Sequence, residues 1–356
     1  MKIGIIGVGK LGLCFALNLS RFGFDVIGYD IRENYIDSLL RKDFISIEPM
    51  VNDMLQSSSV CFTTNINKAC QSDILFIFVN TPSNLDGSFN HSQINSVFDK
   101  IQSYSNTIVI CSTVMPGYCN SLHDSRIVYS PQFVAQGSII QNQISPDLVL
   151  IGATDNSRAE IVKNIYFDIC NNYPNCRILD CLSAEIAKVA LNCYVTMKIS
   201  FANNLGDICK FAGANCDGVL SAISSDSRIG EKCFKYGYGY GGPCFPRDNK
   251  AFIHFANNYV QPYLSEAVDK INEDHLIRQL KLIEKGILPS NLNIAGEYAT
   301  ITGICFKSDS NILDESQQLR LAMALKKKYN VKIRDSKIVI DELNKNYGNI
   351  FMYEEI

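Results

Sequence analysis

Apolar positions follow two rhythms along this chain. Residues 3–6 form a short unbroken apolar run, after which Leu13, Ala16, Leu17 and Leu19 recur at a helical period that Gly23 ends. Further apolar runs lie at 25–29, 60–64, 73–79 (DILFIFV), 107–113 (TIVICST), 126–130 and 147–153 (DLVLIGA), with helical stretches between several of them. Strands that are apolar on both faces and alternate with helices predict a parallel sheet covered on both sides. The pattern then changes. Residues 183–213 hold no proline and read as one long helix with Ser183 at its N-cap. A helix of that length exceeds what one small core needs, and predicts a spine between domains or subunits. After Ser290 there is room for strands near 299–305 and 331–335 with a helix between them, so an abbreviated C-terminal α/β domain is expected. The predicted organisation is α/β throughout: an N-terminal Rossmann-like domain over 1–182, a central helical region over 183–290 and the short α/β domain over 291–356.

The first apolar run leads into Gly7-x-Gly9-x-x-Gly12, the helix begins inside that motif, and a second strand ends in Asp30, 23 residues beyond Gly7. A lone GxGxxG is a weak signal, and this one could be an ordinary strand-to-helix turn. With strand, helix and acid all in place it predicts a dinucleotide site. Gly7 would permit the tight turn, Gly9 the approach of a pyrophosphate, and Gly12 close packing of helix on strand. Lys10 and Leu11 lie at the helix N-terminus that would face the phosphates. Asp30 would accept from the adenosine ribose and repel a 2′-phosphate, which predicts NAD over NADP. Thr81 and Thr113 fall at carboxyl ends of strands, where ligands gather, and are candidates for the nicotinamide side or for simple turn and cap roles.

Composition narrows the partners. The net charge is −3 and the pI near 5.9, so no basic surface for nucleic acid is indicated. The 14 cysteines are scattered through a long chain, often in apolar segments (Cys14, Cys61, Cys111, Cys209), as expected of reduced thiols packed as small hydrophobes. There is no CxxC, and the four histidines are dispersed, so no metal site is expected. No apolar run approaches a membrane span, and a cytoplasmic location is expected.

Two polar groups interrupt the apolar first part of the long helix. Lys188 and Asn192 are four apart and share a face, either as a solvated stripe or as part of a site. The segment 239–248, GYGGPCFPRD, surrounds Cys244 with glycines. It is either a plain turn or a place where a ligand comes close to the thiol.

Taken together, EIAKVALN (185–192), DSRIG (226–230), GYGGPCFPRD and GICFKSDSNILDES (303–316), following the N-terminal glycines, resemble the UDP-glucose/GDP-mannose dehydrogenases. The motifs come in that family's order across most of the chain. The resemblance implies two α/β domains joined by a long helix that carries a homodimer interface. It implies four-electron oxidation of a nucleotide sugar's primary alcohol to a carboxylate with NAD, UDP-glucose being the expected substrate. Cys244 matches the nucleophile that forms a thiohemiacetal and then a thioester. Lys188 matches the group that stabilises the oxyanion and favours the thiolate. Asn192 and Asp248 match residues that hold substrate and water. Arg228, Lys235, Gly241 and Lys307 match substrate-binding positions, with Arg228 reaching across the dimer.

The chain departs from the family in SPQFVAQG (130–137), where Gln132 and Gln136 stand in place of two glutamates, the first of them the base for thioester hydrolysis. An amide cannot take a proton at neutral pH. Hydrolysis is therefore expected to be slow or to use another base, with Asp248 the first candidate. Gln136 is expected on the cofactor side. Arg247 replaces a commoner lysine.

Overall fold

The computed structural model describes residues 1–307 and 310–356. Ser308 and Asp309, inside the 303–316 motif, lie outside the described residues. The chain forms two compact units, Met1–Val189 and Ala190–Ile356.

The first unit is built on an eight-stranded sheet in the order β3-β2-β1-β4-β5-β6-β7-β8. The strands are β1 (Lys2–Ile6), β2 (Asp25–Tyr29), β3 (Cys61–Thr63), β4 (Ile74–Ile77), β5 (Thr107–Ile110), β6 (Ile127–Tyr129), β7 (Leu148–Ala153) and β8 (Asn175–Leu179). All the apolar runs become strands. Ile3, Ile5, Ile74 and Phe76 are at most 1% exposed, and burying such a side chain stabilises by about 1.5–3 kcal/mol. The order reverses direction from β1 to β4, so the glycine loop after β1 sits at a topological switch point, where ligands of open α/β sheets gather.

Three expectations need correction. The sheet is not wholly parallel, because β7 runs antiparallel to β6. Cys61 is exposed at the start of β3, while Cys14, Cys111 and Cys209 are buried as expected. The long helix (Cys181–Ala212) starts two residues earlier than its sequence suggested, and Asp180 caps it. The Asp180 carboxylate accepts the Ser183 N–H at 2.9 Å and the Ser183 hydroxyl at 2.6 Å, so Ser183 lies inside the first turn.

The second unit contains most of the long helix, the helices Cys216–Ser224, Phe245–Ala256 and Tyr263–Glu284, and a four-stranded sheet in the order β12-β11-β10-β9. Its strands are β9 (Leu292–Ala295), β10 (Tyr298–Thr302), β11 (Asn330–Asp335) and β12 (Met352–Glu355). Ala299, Ile301, Val331 and Ile333 form one buried face of this sheet, packed with Leu319, Ala322 and Leu325 of the helix Gln317–Leu325. The long helix turns Thr196, Ser200, Asn203 and Asp207 inward, all at most 2% exposed.

Candidate active site

In the first unit, Gly7 adopts φ +89°, and a Cβ there would lie 2.4 Å from the Phe78 carbonyl oxygen. One on Gly12 would lie 2.1 Å from the Gly7 carbonyl oxygen. Both positions are glycine because strand, loop and helix touch. Gly9 differs, since a Cβ there would meet nothing nearer than an Arg32 nitrogen at 4.0 Å. No internal packing demands glycine at that position, and the open face fits the approach of a ligand. Gly9 begins the helix Lys10–Arg21 without a side-chain cap, which leaves first-turn N–H groups to an anion. These are the features a dinucleotide pyrophosphate requires, and Gly9 with the amides of Lys10, Leu11 and Gly12 would hold it.

Gln136 joins this loop, accepting from Lys10 Nζ at 2.9 Å. Thr81 is buried, and its hydroxyl donates to the Thr113 carbonyl at 2.7 Å, tying the loops after β4 and β5 together. Glu185 was not singled out from the sequence, although a lone acid in an apolar stretch was the available signal. It is wholly buried and accepts the Gly117 and Cys119 N–H groups at 2.6 and 2.8 Å, fastening the loop after Thr113. Burial raises its pKa. Asp30 stands at the expected end of β2, buried, with Arg32 paired to its carboxylate at 2.9 and 3.0 Å.

Lys188 and Gln132 meet in the same unit. Lys188 is buried, donates to the Gln132 backbone carbonyl at 2.8 Å and lies 4.4 Å over the Phe133 ring. The Gln132 side chain donates through Nε2 to the Tyr166 hydroxyl at 2.7 Å. That phenol lies 3.2 Å from Ser130 Oγ, which donates to the Leu150 carbonyl. Burial holds the Tyr166 pKa far above its ordinary value, so the phenol stays protonated. A cavity of about 20 Å³, room for one water, is lined here by Ser130, Gln132, Phe133, Gln143 and Tyr166. Tyr166 had no sequence signal beyond its place on a helical period.

In the second unit, Cys244 is an exposed thiol at the N-cap of the helix Phe245–Ala256. A helix N-terminus favours the thiolate. One turn on, the Asp248 N–H bonds the Cys244 carbonyl at 2.8 Å. Asp248 is wholly buried, and three contacts hold its charge: Asn192 Nδ2 at 2.6 Å on one oxygen, Arg247 Nε and Nη2 at 2.8 Å each on the other. A buried carboxylate requires such pairing. The structure therefore joins Asn192, Asp248 and Cys244, and adds Arg247 as the counter-charge.

The glycines before the thiol have an internal reason. A Cβ on Gly241 would lie 2.3 Å from the Glu315 carbonyl oxygen, and one on Gly242, at φ +79°, 2.7 Å from the Phe306 ring. Phe306, next to half-buried Lys307, and Glu315 thus pack directly on the cysteine loop. Upstream, Asn272 exchanges hydrogen bonds with both backbone groups of Tyr240, at 2.9 and 3.0 Å. Asn203 does the same for Gly237 N–H and Tyr238 C=O, at 2.9 and 3.0 Å. His275 lies between Asp207 and the Gly237 carbonyl at 2.8 and 2.7 Å. The thiol loop is held by buried polar side chains on two helices. Lys235 is exposed, and Arg228, 86% exposed at its side chain, pairs with Asp226 at 2.7 Å. Among the described residues no cluster of three metal-ligating side chains occurs, and no helix is long and apolar enough to cross a membrane.

The switch-point loop and the open face at Gly9 define a dinucleotide-binding α/β domain. Residues 1–170 match the NAD binding domain of the UDP-glucose/GDP-mannose dehydrogenase family, and residues 182–274 match its central domain. The chain is 31% identical to YtcA of Bacillus subtilis (strain 168), which carries a provisional UDP-glucose 6-dehydrogenase name, over 90% of this chain and 78% of that protein. It is 29% identical to the UDP-glucose 6-dehydrogenase YwqF of the same organism, over 90% of this chain and 76% of that one. A solved UDP-glucose dehydrogenase from the hyperthermophilic archaeon Pyrobaculum islandicum superposes with a TM-score of 0.88 at 26% identity, covering 100% of this chain and 86% of that one. The chain belongs to the UDP-glucose/GDP-mannose dehydrogenase family.

Proposed function

We propose that this nucleotide-sugar dehydrogenase oxidises the primary alcohol of UDP-glucose to UDP-glucuronate, with Cys244 as the covalent nucleophile. The observation that carries this reading is the exposed thiol at a helix N-terminus, on a loop packed against Phe306 and Glu315. NAD⁺ would supply the hydride acceptor, one molecule for each of the two two-electron oxidations, with exchange between them. The Cys244 thiolate adds to the carbonyl carbon of the intermediate aldehyde, and the C=O π bond opens to an oxyanion. Lys188 stabilises that oxyanion. After loss of hydride the carbon is a thioester, and water attacks it. The C–S bond then breaks, giving acid and thiolate. Asn192 and Asp248 position substrate and water, and Arg228, Lys235, Gly241 and Lys307 contact the nucleotide sugar.

Assembly as a homodimer belongs to this proposal. Tyr194, Phe201 and Ile208, spaced by seven on the long helix, are 60, 54 and 57% exposed, an apolar stripe suited to a second copy. Phe201→Glu should shift the sedimenting species from dimer to monomer.

The decisive assay is NADH formed per nucleotide sugar added. UDP-glucose should yield about two NADH per molecule consumed, since each acid requires two hydride losses. Turnover of GDP-mannose or another UDP-sugar with UDP-glucose inert would reassign the substrate. Binding without NADH from any sugar would make the chain a sugar-nucleotide binding protein.

A further inference from the structure

The adenosine end of the dinucleotide site contains a charge that the glycine pattern does not announce. Asp30 is positioned to read the ribose, yet Arg32 engages it three times. The Arg32 backbone N–H and Nε reach Oδ1 at 3.2 and 2.9 Å, and Nη2 reaches Oδ2 at 3.0 Å. A carboxylate offers about four lone-pair sites. Three are taken, which leaves one on Oδ2 and room for one ribose hydroxyl.

The Arg32 side chain itself is 55% exposed. It lies 4.1 Å over the Tyr35 ring, and Tyr35 is fixed by a 2.8 Å hydrogen bond to the Val8 carbonyl inside the glycine loop. Its Nη2 lies 4.0 Å from the place a Gly9 Cβ would occupy. The guanidinium is therefore pre-positioned at the edge of the pyrophosphate cradle, with donors on Nη1 and Nη2 not used by Asp30. A lone aspartate at this position would repel a 2′-phosphate. An aspartate–arginine pair is neutral overall and presents a fork suited to phosphate oxygens.

We infer that Arg32 is a second specificity-determining residue of the cofactor site, cancelling the Asp30 charge so that the protein binds NAD⁺ with only modest preference and also takes NADP⁺. The inference concerns binding of the dinucleotide and stands apart from which sugar is oxidised.

Titration calorimetry of the full chain with NAD⁺ and NADP⁺, without sugar, tests it. The wild-type affinities should lie within about tenfold of each other. Arg32→Ala should weaken NADP⁺ about tenfold or more while moving NAD⁺ less than about threefold, and raised salt should shrink the NADP⁺ effect. Arg32→Gln, which keeps the polar entry to the following helix, should do the same. Asp30→Asn should tighten NADP⁺ by releasing the guanidinium. Wild-type discrimination beyond about a hundredfold, equal losses for both dinucleotides in the Arg32 variants, or failure of either to bind would overturn the assignment.

Discussion

Gln132→Glu would place a carboxylate where the resemblance implies the base for thioester hydrolysis, and the local geometry sets what it should do. In the wild type the amide Nε2 donates to the Tyr166 hydroxyl at 2.7 Å. A carboxylate cannot donate, so the phenol, which accepts from Gln132 and Ser130 in the wild type, must donate its proton to the new oxygen. The Ser130 hydroxyl keeps its bond to the Leu150 carbonyl, so no buried donor is orphaned. Partial burial would disfavour the new carboxylate and the Tyr166 bond would favour it, so the two effects oppose each other. A positioned general base contributes about 10²–10⁴-fold to the step it serves. The phenol bond blunts basicity, so a gain near the lower bound, about a hundredfold, is expected in thioester hydrolysis. Rapid mixing of wild type with UDP-glucose and NAD⁺ should give a burst of about two NADH per site followed by a slow steady rate, because both oxidations precede the base-dependent step. Intact mass spectrometry should catch the sugar on Cys244. The variant should raise the steady rate without enlarging the burst, and the adduct should vanish. A linear wild-type trace with no adduct, and no gain in the variant, would refute the argument. Asp248 would then be the first residue to test, although the Asn192 and Arg247 bonds already engage its carboxylate.

Cys244→Ser should abolish acid formation while leaving the NAD⁺ affinity from calorimetry unchanged, whereas Cys233→Ser, at an exposed thiol, should keep near wild-type turnover. Gly12→Ala forces a methyl to 2.1 Å from the Gly7 carbonyl, and urea unfolding should show a loss of about 3 kcal/mol together with weakened NAD⁺ binding. His91, stacked on Tyr118 and accepting the Met115 N–H at 3.2 Å, has its pKa lowered by burial to about 4 from 6.5. Below pH 6.5 the unfolded chain gains a proton that the folded one refuses, so this contribution is complete above pH 6.5 and drains away toward pH 4. It amounts to about 2 kcal/mol after allowance for partial exposure, and unfolding of His91→Gln should lack that part of the pH slope.

Where burial and period coincide, the sequence carries the structure. Within the runs at 73–79 and 107–113, Ile74–Ile77 and Thr107–Ile110 become buried central strands, because mostly apolar side chains fit between two helical layers. Edges obey no such rule. β8 alternates exposed and half-buried positions, and β12 reads Met-Tyr-Glu-Glu, so neither has an apolar run to betray it. The turn from β6 into antiparallel β7 depends on how the chain between them crosses the sheet, which no local pattern encodes.

The candidate site divides along the same line, between residues whose reason is local and residues whose reason is a distant partner. Gly7 and Gly12 were legible because strand, turn and helix are contiguous. Gly241 was visible as a glycine but not for its cause, since the carbonyl that excludes a Cβ belongs to Glu315, 74 residues away in sequence. Arg32 sits two residues from Asp30 and was still missed, because pairing the two requires knowing that both side chains turn to the same side of the loop. The inward polar stripe Thr196, Ser200, Asn203 and Asp207 looks, as a pattern, like the solvated face of a helix. Its burial is explained by what it binds: Thr196 and Ser200 donate to the Cys193 and Val268 carbonyls, Asn203 holds backbone groups at 237 and 238, and Asp207 pairs with His275 and Arg278. A helix face reads as polar whether water or a loop satisfies it. Here a neighbouring helix and, at Asn203, a loop satisfy it, and that loop leads to the thiol on which the proposed chemistry turns.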